Sequence, residues 1–263
     1  MSLELPVCTA ILAVSNYPFV LGVEWFARHR AVKPVIAVRA PPGQRAREMR
    51  NSWLTTALHA LLFWAFIACG ALRTVPAGAG LALATFLLTF MWTEVWHYAS
   101  HVAMHTRALH FIHREHHRSR VTQPWTSVSF SVLEKLCFSL GILGFLALVS
   151  RCCSLSLLGV FAYYLVYFFA NTLGHANFEF RRAGYYTRLM GRVLNSPTYH
   201  ALHHARYVRN YGLMTPWLDR LFGTEWPDVP QVQTRAALGA PLRHLAERAA
   251  PERPPEELTL AAR

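Results

Sequence analysis

Carboxylates are scarce in this chain. Its 263 residues hold 14 Asp and Glu against 26 Lys and Arg, a formal net charge of +12 with a pI near 10.0. Lysine is nearly missing as well, occurring only at Lys33 and Lys135, so the positive charge is almost all arginine. Charged residues of both signs make up 15%, against roughly 25% in ordinary soluble domains. Hydrophobic residues make up 53%, and mean hydropathy is +0.21. A globule solvated on all faces is a poor fit. Long apolar runs between the arginines suit an integral membrane protein better than a nucleic-acid binder. Arginine in place of lysine, with many alanines, suggests a GC-rich coding sequence, and a bacterial inner membrane is the expected location.

The five cysteines, Cys8, Cys69, Cys137, Cys152 and Cys153, make no Cys-x-x-Cys pair, which removes the common zinc and redox motifs. They lie in or beside apolar runs and read as small hydrophobes. There is no Gly-rich phosphate loop and no Gly-x-Ser-x-Gly elbow. A His-Glu-x-x-His zincin motif is missing too, since His113-Arg-Glu-His116-His117 is spaced differently. The start carries Glu4 and no basic segment, so the first apolar run is expected to stay as an anchor.

What the chain does have is apolar runs. Residues 7–27 form the first, interrupted by Asn16 and Pro18, and read as a kinked or partly interfacial helix. Residues 28–52 hold many basic residues, with Glu48 the only acid, and Pro34, Pro41, Pro42 and Gly43; they read as a connector. Residues 53–72, a run from Leu81, and residues 134–150 and 154–172 supply further spans. The last two are short enough to suggest a hairpin that does not fully cross. Alternating spans put the basic stretches 28–52, 104–133 and beyond 175 on one side, with Arg73 and Arg151 on the other. The positive-inside rule makes the basic side cytoplasmic. Arg181, Arg182, Arg188 and Arg192, interleaved with Tyr185, Tyr186, Leu189, Met190 and Val193, read as a basic amphipathic helix on the membrane surface. The expected fold is all-α: an integral membrane bundle of about four to five helices with a cytoplasmic helical cap. One domain is expected over residues 1–230, followed by a weakly ordered tail, 231–263, that contains Pro251, Pro254 and Pro255.

The chain also has histidines, 14 in all. Half of them, His97, His101, His105, His110, His113, His116 and His117, fall between Trp96 and His117. A second cluster, His200-Ala-Leu-His203-His204, repeats the spacing of His113, His116 and His117, and is the one internal repeat. Imidazole is the commonest side-chain ligand for transition metals. His97, His101 and His105 step by four, a drift of about 40° per step, so adjacent members share a helix face. In each His-x-x-His-His block, two imidazoles three apart are expected to share a face. The neighbour, about 100° away, reaches towards a second ion. His175 lies just past the last span at the same expected depth. With Glu115 the only carboxylate among the runs, iron, zinc or copper is favoured over calcium or magnesium. So many imidazoles suit two ions, and iron is the metal best placed to activate dioxygen.

The blocks His101-x3-His105, His113-x2-His116-His117 and His200-x2-His203-His204 resemble those of the fatty acid hydroxylase/sterol desaturase superfamily. So do the flanking stretches around Pro124-Trp125 and from Asn210-Tyr211-Gly212 to Phe222-Gly223-Thr224. The likeness spans about residues 80–226, and three ordered blocks with a closing motif make it specific. It implies a membrane-embedded helical fold with a cytoplasmic non-haem diiron site that uses dioxygen and external electrons to hydroxylate or desaturate a lipid. Carried over by motif, the metal ligands are His101, His105, His113, His116, His117, His200, His203 and His204, with His175 matching a further family histidine. Val102 stands where many members have Arg, and Ser131-Val132 where many have His-Pro. The three-residue spacing of the first block and the single histidine near 175 look less like the fatty acid 2-hydroxylases. They look more like the sterol-desaturase and wax-synthesis branches.

Four further residues are candidates for orienting the ligands: Glu94, His97, Asn177 and Asp219. Glu94 sits three residues before His97 on one helix face, where an ionisable group in a span is costly and usually functional; a snorkelling acid is the plainer reading. His97 is either a neighbour of the ligands or a histidine bonded at the helix end. For Asp219 the plainer reading is a turn cap. Tyr163, Tyr164, Tyr167, Phe168 and Phe169 line a lipid pocket or simply pack. His110, His29, His59 and His244 read as surface or structural residues. The expected cofactors are two iron ions, with zinc as a substitute in purified protein. The expected partners are a sterol-like or fatty-acyl lipid, O2 and a separate ferredoxin- or cytochrome-like electron donor docked on the cationic face. Two other classes use the same histidines: a metal-dependent membrane hydrolase or isomerase, and a non-catalytic metal-binding or transport protein.

Overall fold

The computed structural model describes residues 4–249. Five of its helices are long and apolar enough to cross a membrane: α1 (Glu4–His29), α2 (Gln44–Ala68), α3 (Ala79–Met104), α5 (Val132–Val149) and α6 (Leu157–Gly174). They close a ring in which α1 packs on α2 and α6, α5 on α2 and α3, and α3 on α6. Serines start the two shortest: Ser131 accepts a hydrogen bond from the Glu134 backbone N–H and Ser156 from that of Gly159, which satisfies an otherwise orphaned donor. At 18 residues each, α5 and α6 are about 27 Å long, close to the ~30 Å of a bilayer core.

The bundle is filled by Phe63, Ile142, Leu143, Leu146, Tyr163, Tyr164 and Phe168. The tyrosine stripe of α6 is therefore packing, apart from Phe169, which faces outward. Gly141 is needed for the α3–α5 contact, because a Cβ there would run into the Trp96 ring. The Trp92 and Trp96 indoles donate to the carbonyls of Gly141 and Cys137.

The remaining elements form a cap at one end of the ring: α4 (His110–His117), α7 (Leu189–Val193), α8 (Pro197–Arg206), α9 (Trp217–Leu221) and α10 (Val229–Ala237), with a two-residue antiparallel pair, β1 (Lys33–Pro34) and β2 (Phe178–Glu179). Its core is Val35, Ile36, Tyr186, Tyr199, Leu202, Val229, Val232 and Leu242. Three expectations change here. Residues 44–52 are helical rather than connector, because Gln44, Glu48 and Ser52 are buried under the cap. There Glu48 accepts from Ser119, Thr126 and Gln44. The surface helix expected over 181–193 is broken into a 3-10 turn at Tyr185–Thr187 and the single turn of α7. Gly184 sits at φ 71°, and Gly191 packs so closely on the Tyr185 carbonyl that a Cβ has no room. Finally, residues 231–249 are not a loose tail. Val229, Val232 and Ala236 form a buried stripe, and the Leu242 backbone bonds on both sides to the Val35–Ala37 segment. The rest of the expected tail, with its prolines, lies outside the described residues.

Candidate metal centre

The centre grows from two helix ends and two short helices. His101 and His97 occupy the last turns of α3, and His105 is its C-cap. His175 is the C-cap of α6. The cap contributes α4, whose buried face is His113, His116 and His117, and α8, opened by Pro197 at its first turn and buried along its whole length. Proline suits that position because the N–H it lacks would have no helical partner.

Nine imidazoles converge in two groups. His101, His105, His113, His117 and His203 form one; His116, His175, His200 and His204 form the other; within each, the ligand atoms lie within 4.8 Å of one another. These are the nine histidines expected from the sequence, but the blocks divide differently. In α4, His113 and His117 go together and His116 turns to the other group; in α8, His200 and His204 pair and His203 turns away. Residues four apart differ by about 40° in azimuth and residues three apart by about 60°, so the i,i+4 pairs win. Each helix thereby serves both groups.

Hydrogen bonds fix which nitrogen faces inward. The Nδ1–H groups of His101, His116, His175, His203 and His204 donate to the carbonyls of Tyr211 (2.8 Å), Ser129 (2.9 Å), Asn171 (2.8 Å), Arg209 (2.7 Å) and Ser119 (3.0 Å). His113 Nδ1 lies 2.6 Å from the buried Glu134 carboxylate. In these rings the proton is held at Nδ1, which leaves the Nε2 lone pair for the interior. Lone pairs then face one another: His116 and His175 Nε2 are 3.3 Å apart. Nε2 of His200 lies 2.9 Å from that of His175 and 3.2 Å from that of His204. Nε2 of His101, His105 and His113 is buried with no hydrogen-bond partner among the described residues.

Protonating the rings would relieve this, but burial opposes it. It pushes His116 and His105 down to about 4, and His117, His175, His200, His203 and His204 well below the usual histidine range, with neighbouring imidazoles adding to the effect in most of them. Inward-facing neutral nitrogens at this density are a donor set for transition-metal cations. The residues present fit a pair of metal ions, one in each group.

The other four candidates are placed apart from the imidazole groups. His97 is buried and belongs to neither; it stacks on Phe138 (centroids 5.1 Å apart) and meets His101 edge-on at 5.0 Å. Glu94 accepts from the Thr215 backbone and hydroxyl rather than from an imidazole. Asn177 pins the connector, exchanging hydrogen bonds with the Ile36 backbone. Asp219 acts at one remove: it accepts from the Tyr211 and Gly212 N–H groups and from the Tyr199 and Thr224 hydroxyls, so it holds the loop whose Tyr211 carbonyl receives His101. His110, read as a surface residue, bonds through Nε2 to the Tyr207 hydroxyl at 2.9 Å. His29, His59 and His244 lie outside both groups.

Sequence reasoning missed Glu134. Like Glu94, it is a carboxylate inside an apolar span, where an ionisable group is costly and usually functional. It also missed the carbonyl acceptors, which leave no side-chain signature. One trace exists after α8, where Tyr207, Arg209 and Asn210 all have positive φ. Non-glycine residues adopt that conformation at a cost of about 1 kcal/mol each. Here it aims the Arg209 carbonyl at His203, and Asn210 holds the turn through Tyr199 and Trp226.

A ring of apolar helices, capped at one end over two buried imidazole groups, defines a histidine-rich membrane protein with a candidate metal site. The family model "Fatty acid hydroxylase" matches residues 86–224, just over half of the chain and all nine converging histidines, and the chain belongs to that family. Among curated proteins it is similar to "Protein CER1-like 2" of Arabidopsis thaliana, 35% identical over 127 residues, covering 45% of this chain and 21% of the relative. It is also similar to "Very-long-chain aldehyde decarbonylase CER1" of the same plant, 32% over 115 residues (43% and 18%). A third is "Very-long-chain aldehyde decarbonylase GL1-7" of Oryza sativa subsp. japonica, 34% over 128 residues (45% and 20%). The matched segment thus spans about a fifth of the length of these relatives. They are plant proteins, which weighs against the bacterial origin expected from composition. No solved structure matches the chain significantly.

Proposed function

We propose that the chain is a membrane-bound non-haem diiron oxygenase that hydroxylates or desaturates a C–H bond of a lipid, using O2 and electrons from a separate protein. The observation that carries this reading is the pair of imidazole groups with Nε2 lone pairs turned inward. His101, His105, His113, His117 and His203 would hold one iron, and His116, His175, His200 and His204 the other. Bound there, iron supplies the dioxygen chemistry, and zinc is a plausible occupant after purification.

The chain's own residues bind and orient the substrate. An apolar cavity of about 230 Å3 lies between α3 and α6 and reaches His200. Phe86, Phe90, Val166 and Met214 line its length, while Arg181 and Asn195 lie on its walls with His200. Such a cavity suits a stretch of a single acyl chain entering from the bilayer. Burial keeps bulk water from the imidazoles, and the Nδ1 hydrogen bonds fix their aim. The arginine-rich cap is read as the cytoplasmic side and as the docking face for an acidic ferredoxin- or cytochrome-like donor. Tyr207 packs on His105 and His117 of the first group, and its hydroxyl bonds to His110.

A second reading, loss of the carbonyl carbon from a long-chain aldehyde, is favoured by the relatives' names and by the polar groups beside His200. Oxygen consumption with isotope-labelled O2 and an added reductant tests the proposal. Uptake coupled to a hydroxylated or unsaturated lipid is expected, with label in any alcohol formed. A chain-shortened product from an aldehyde would favour the second reading. Product formed without oxygen would overturn the oxygenase proposal: a chain-shortened hydrocarbon released with carbon monoxide would favour the second reading, any other product a hydrolase or isomerase, and metal flux into proteoliposomes without product a transporter.

A further inference from the structure

On the outer face of the bundle an apolar groove runs into a cationic recess under the cap. The groove, about 550 Å3, lies between α1 and α6 and is lined by Phe19, Gly22, Phe26, Phe169 and Phe178. Phe26 and Phe169 are 43% and 46% exposed, as expected of side chains that meet lipid rather than protein. The recess, about 290 Å3, is lined by Arg30, Lys33, Arg181 and Arg182. Phe26, Phe178, Phe180 and Arg181 line both, so the two are one continuous depression.

The charge in that depression is unbalanced. None of its four cations takes part in an ion pair among the described residues. Its one acid, Glu179, is buried and already accepts from the Thr198 hydroxyl and the Arg181 N–H. Lys33 donates to the Ala237 carbonyl. The Arg181 guanidinium lies over Phe180 (4.7 Å) and Tyr185 (5.2 Å), and its Nε is buried without a hydrogen-bond partner among the described residues. Arg30 and Arg182 are exposed.

We propose that this depression binds one anionic phospholipid, with acyl chain in the aromatic groove and phosphodiester against the arginines. An apolar groove alone would accept any chain, and an arginine cluster alone any anion. A phospholipid presents both parts joined, and the recess lies at the ends of α1 and α6, where headgroups sit. Arginine forks match phosphate oxygens with paired hydrogen bonds. The depression adjoins the cavity that reaches His200, since Phe180 and Arg181 line both, but Arg30, Lys33 and Arg182 do not line that cavity, so variants at Arg30 and Arg182 test the depression alone.

The test is native mass spectrometry of the full chain in mild detergent, offered equimolar phosphatidylglycerol and phosphatidylcholine with identical acyl chains. One phosphatidylglycerol per chain should be retained at least tenfold over phosphatidylcholine. The double variant Arg30→Gln/Arg182→Gln should lose that preference with an unchanged melting temperature. Arg188→Gln/Arg192→Gln makes the same charge change at exposed arginines that line neither part of the depression, and it should keep the preference. Equal retention of the two lipids, an equal loss in both double variants, displacement of the lipid by inorganic phosphate, or a lipid-free dimer would each overturn the proposal. None of these outcomes bears on the metal centre.

Discussion

At the scale of single residues, the account turns on what holds each imidazole from behind. Among the described residues Glu134 is the one carboxylate that touches an inward-facing ring, and it is fully buried beside His113. A partner of this kind sets the ring's tautomer and raises its basicity, and losing one weakens metal binding by about 10- to 100-fold. Glu134→Gln keeps an acceptor but removes the charge, so its metal affinity should fall by about tenfold while the helical signal stays. Competition with a chelator of known affinity measures this, and an unchanged affinity would show the contact to be incidental. That the nine histidines come together was legible in the sequence because their spacing carries information. The backbone acceptors were not, because any residue can present a carbonyl: Ser119, Ser129, Asn171, Arg209 and Tyr211 share nothing in sequence.

At the scale of elements, the spans were legible as apolar runs, but their polar ends were not. Gln44, Glu48 and Ser52 read as connector because they are polar, yet Gln44 and Glu48 extend α2 by satisfying each other and the 119–126 segment, while Ser52 donates to the Met49 carbonyl. The same blind spot hid α10. Its apolar positions 229, 232 and 236 have helical spacing, but three small side chains among charges and prolines make a weak signal. Packing decides the matter, since α10 covers α8 and with it three of the converging histidines. Val232→Asp places an unpaired charge in that core and should destabilise the cap by about 3 kcal/mol or more. Cap-side protease cleavage and loss of bound metal should follow together. A variant with wild-type metal content and protease resistance would mean that α10 is dispensable to the site.

At the scale of the whole molecule, the fold places two buried nitrogen-rich groups at the junction of bundle and cap. Acid should act on both at once. Burial holds His105 and His116 near 4, whereas an unfolded histidine titrates near about 6.5. Between those values the unfolded chain binds more protons than the folded one. Stability from these groups is therefore complete above pH about 6.5 and is lost as pH falls towards about 4. Protons and metal also compete for the same nitrogens. Dialysis near pH 5 should lower the melting temperature and strip metal, while dialysis above pH 7 should do neither. A melting temperature that stays level across this range would contradict the assignment of neutral, inward-facing rings.

The most direct measurement is the metal content of the protein purified anaerobically in detergent, compared with that of His203→Ala and His116→Ala. The account predicts close to two irons per chain, or two of a substituting zinc before reconstitution. Because the two histidines belong to different groups, each variant should lose mainly one ion and keep the membrane fold. A wild-type chain that binds no metal, or two variants that keep a full complement, would contradict it.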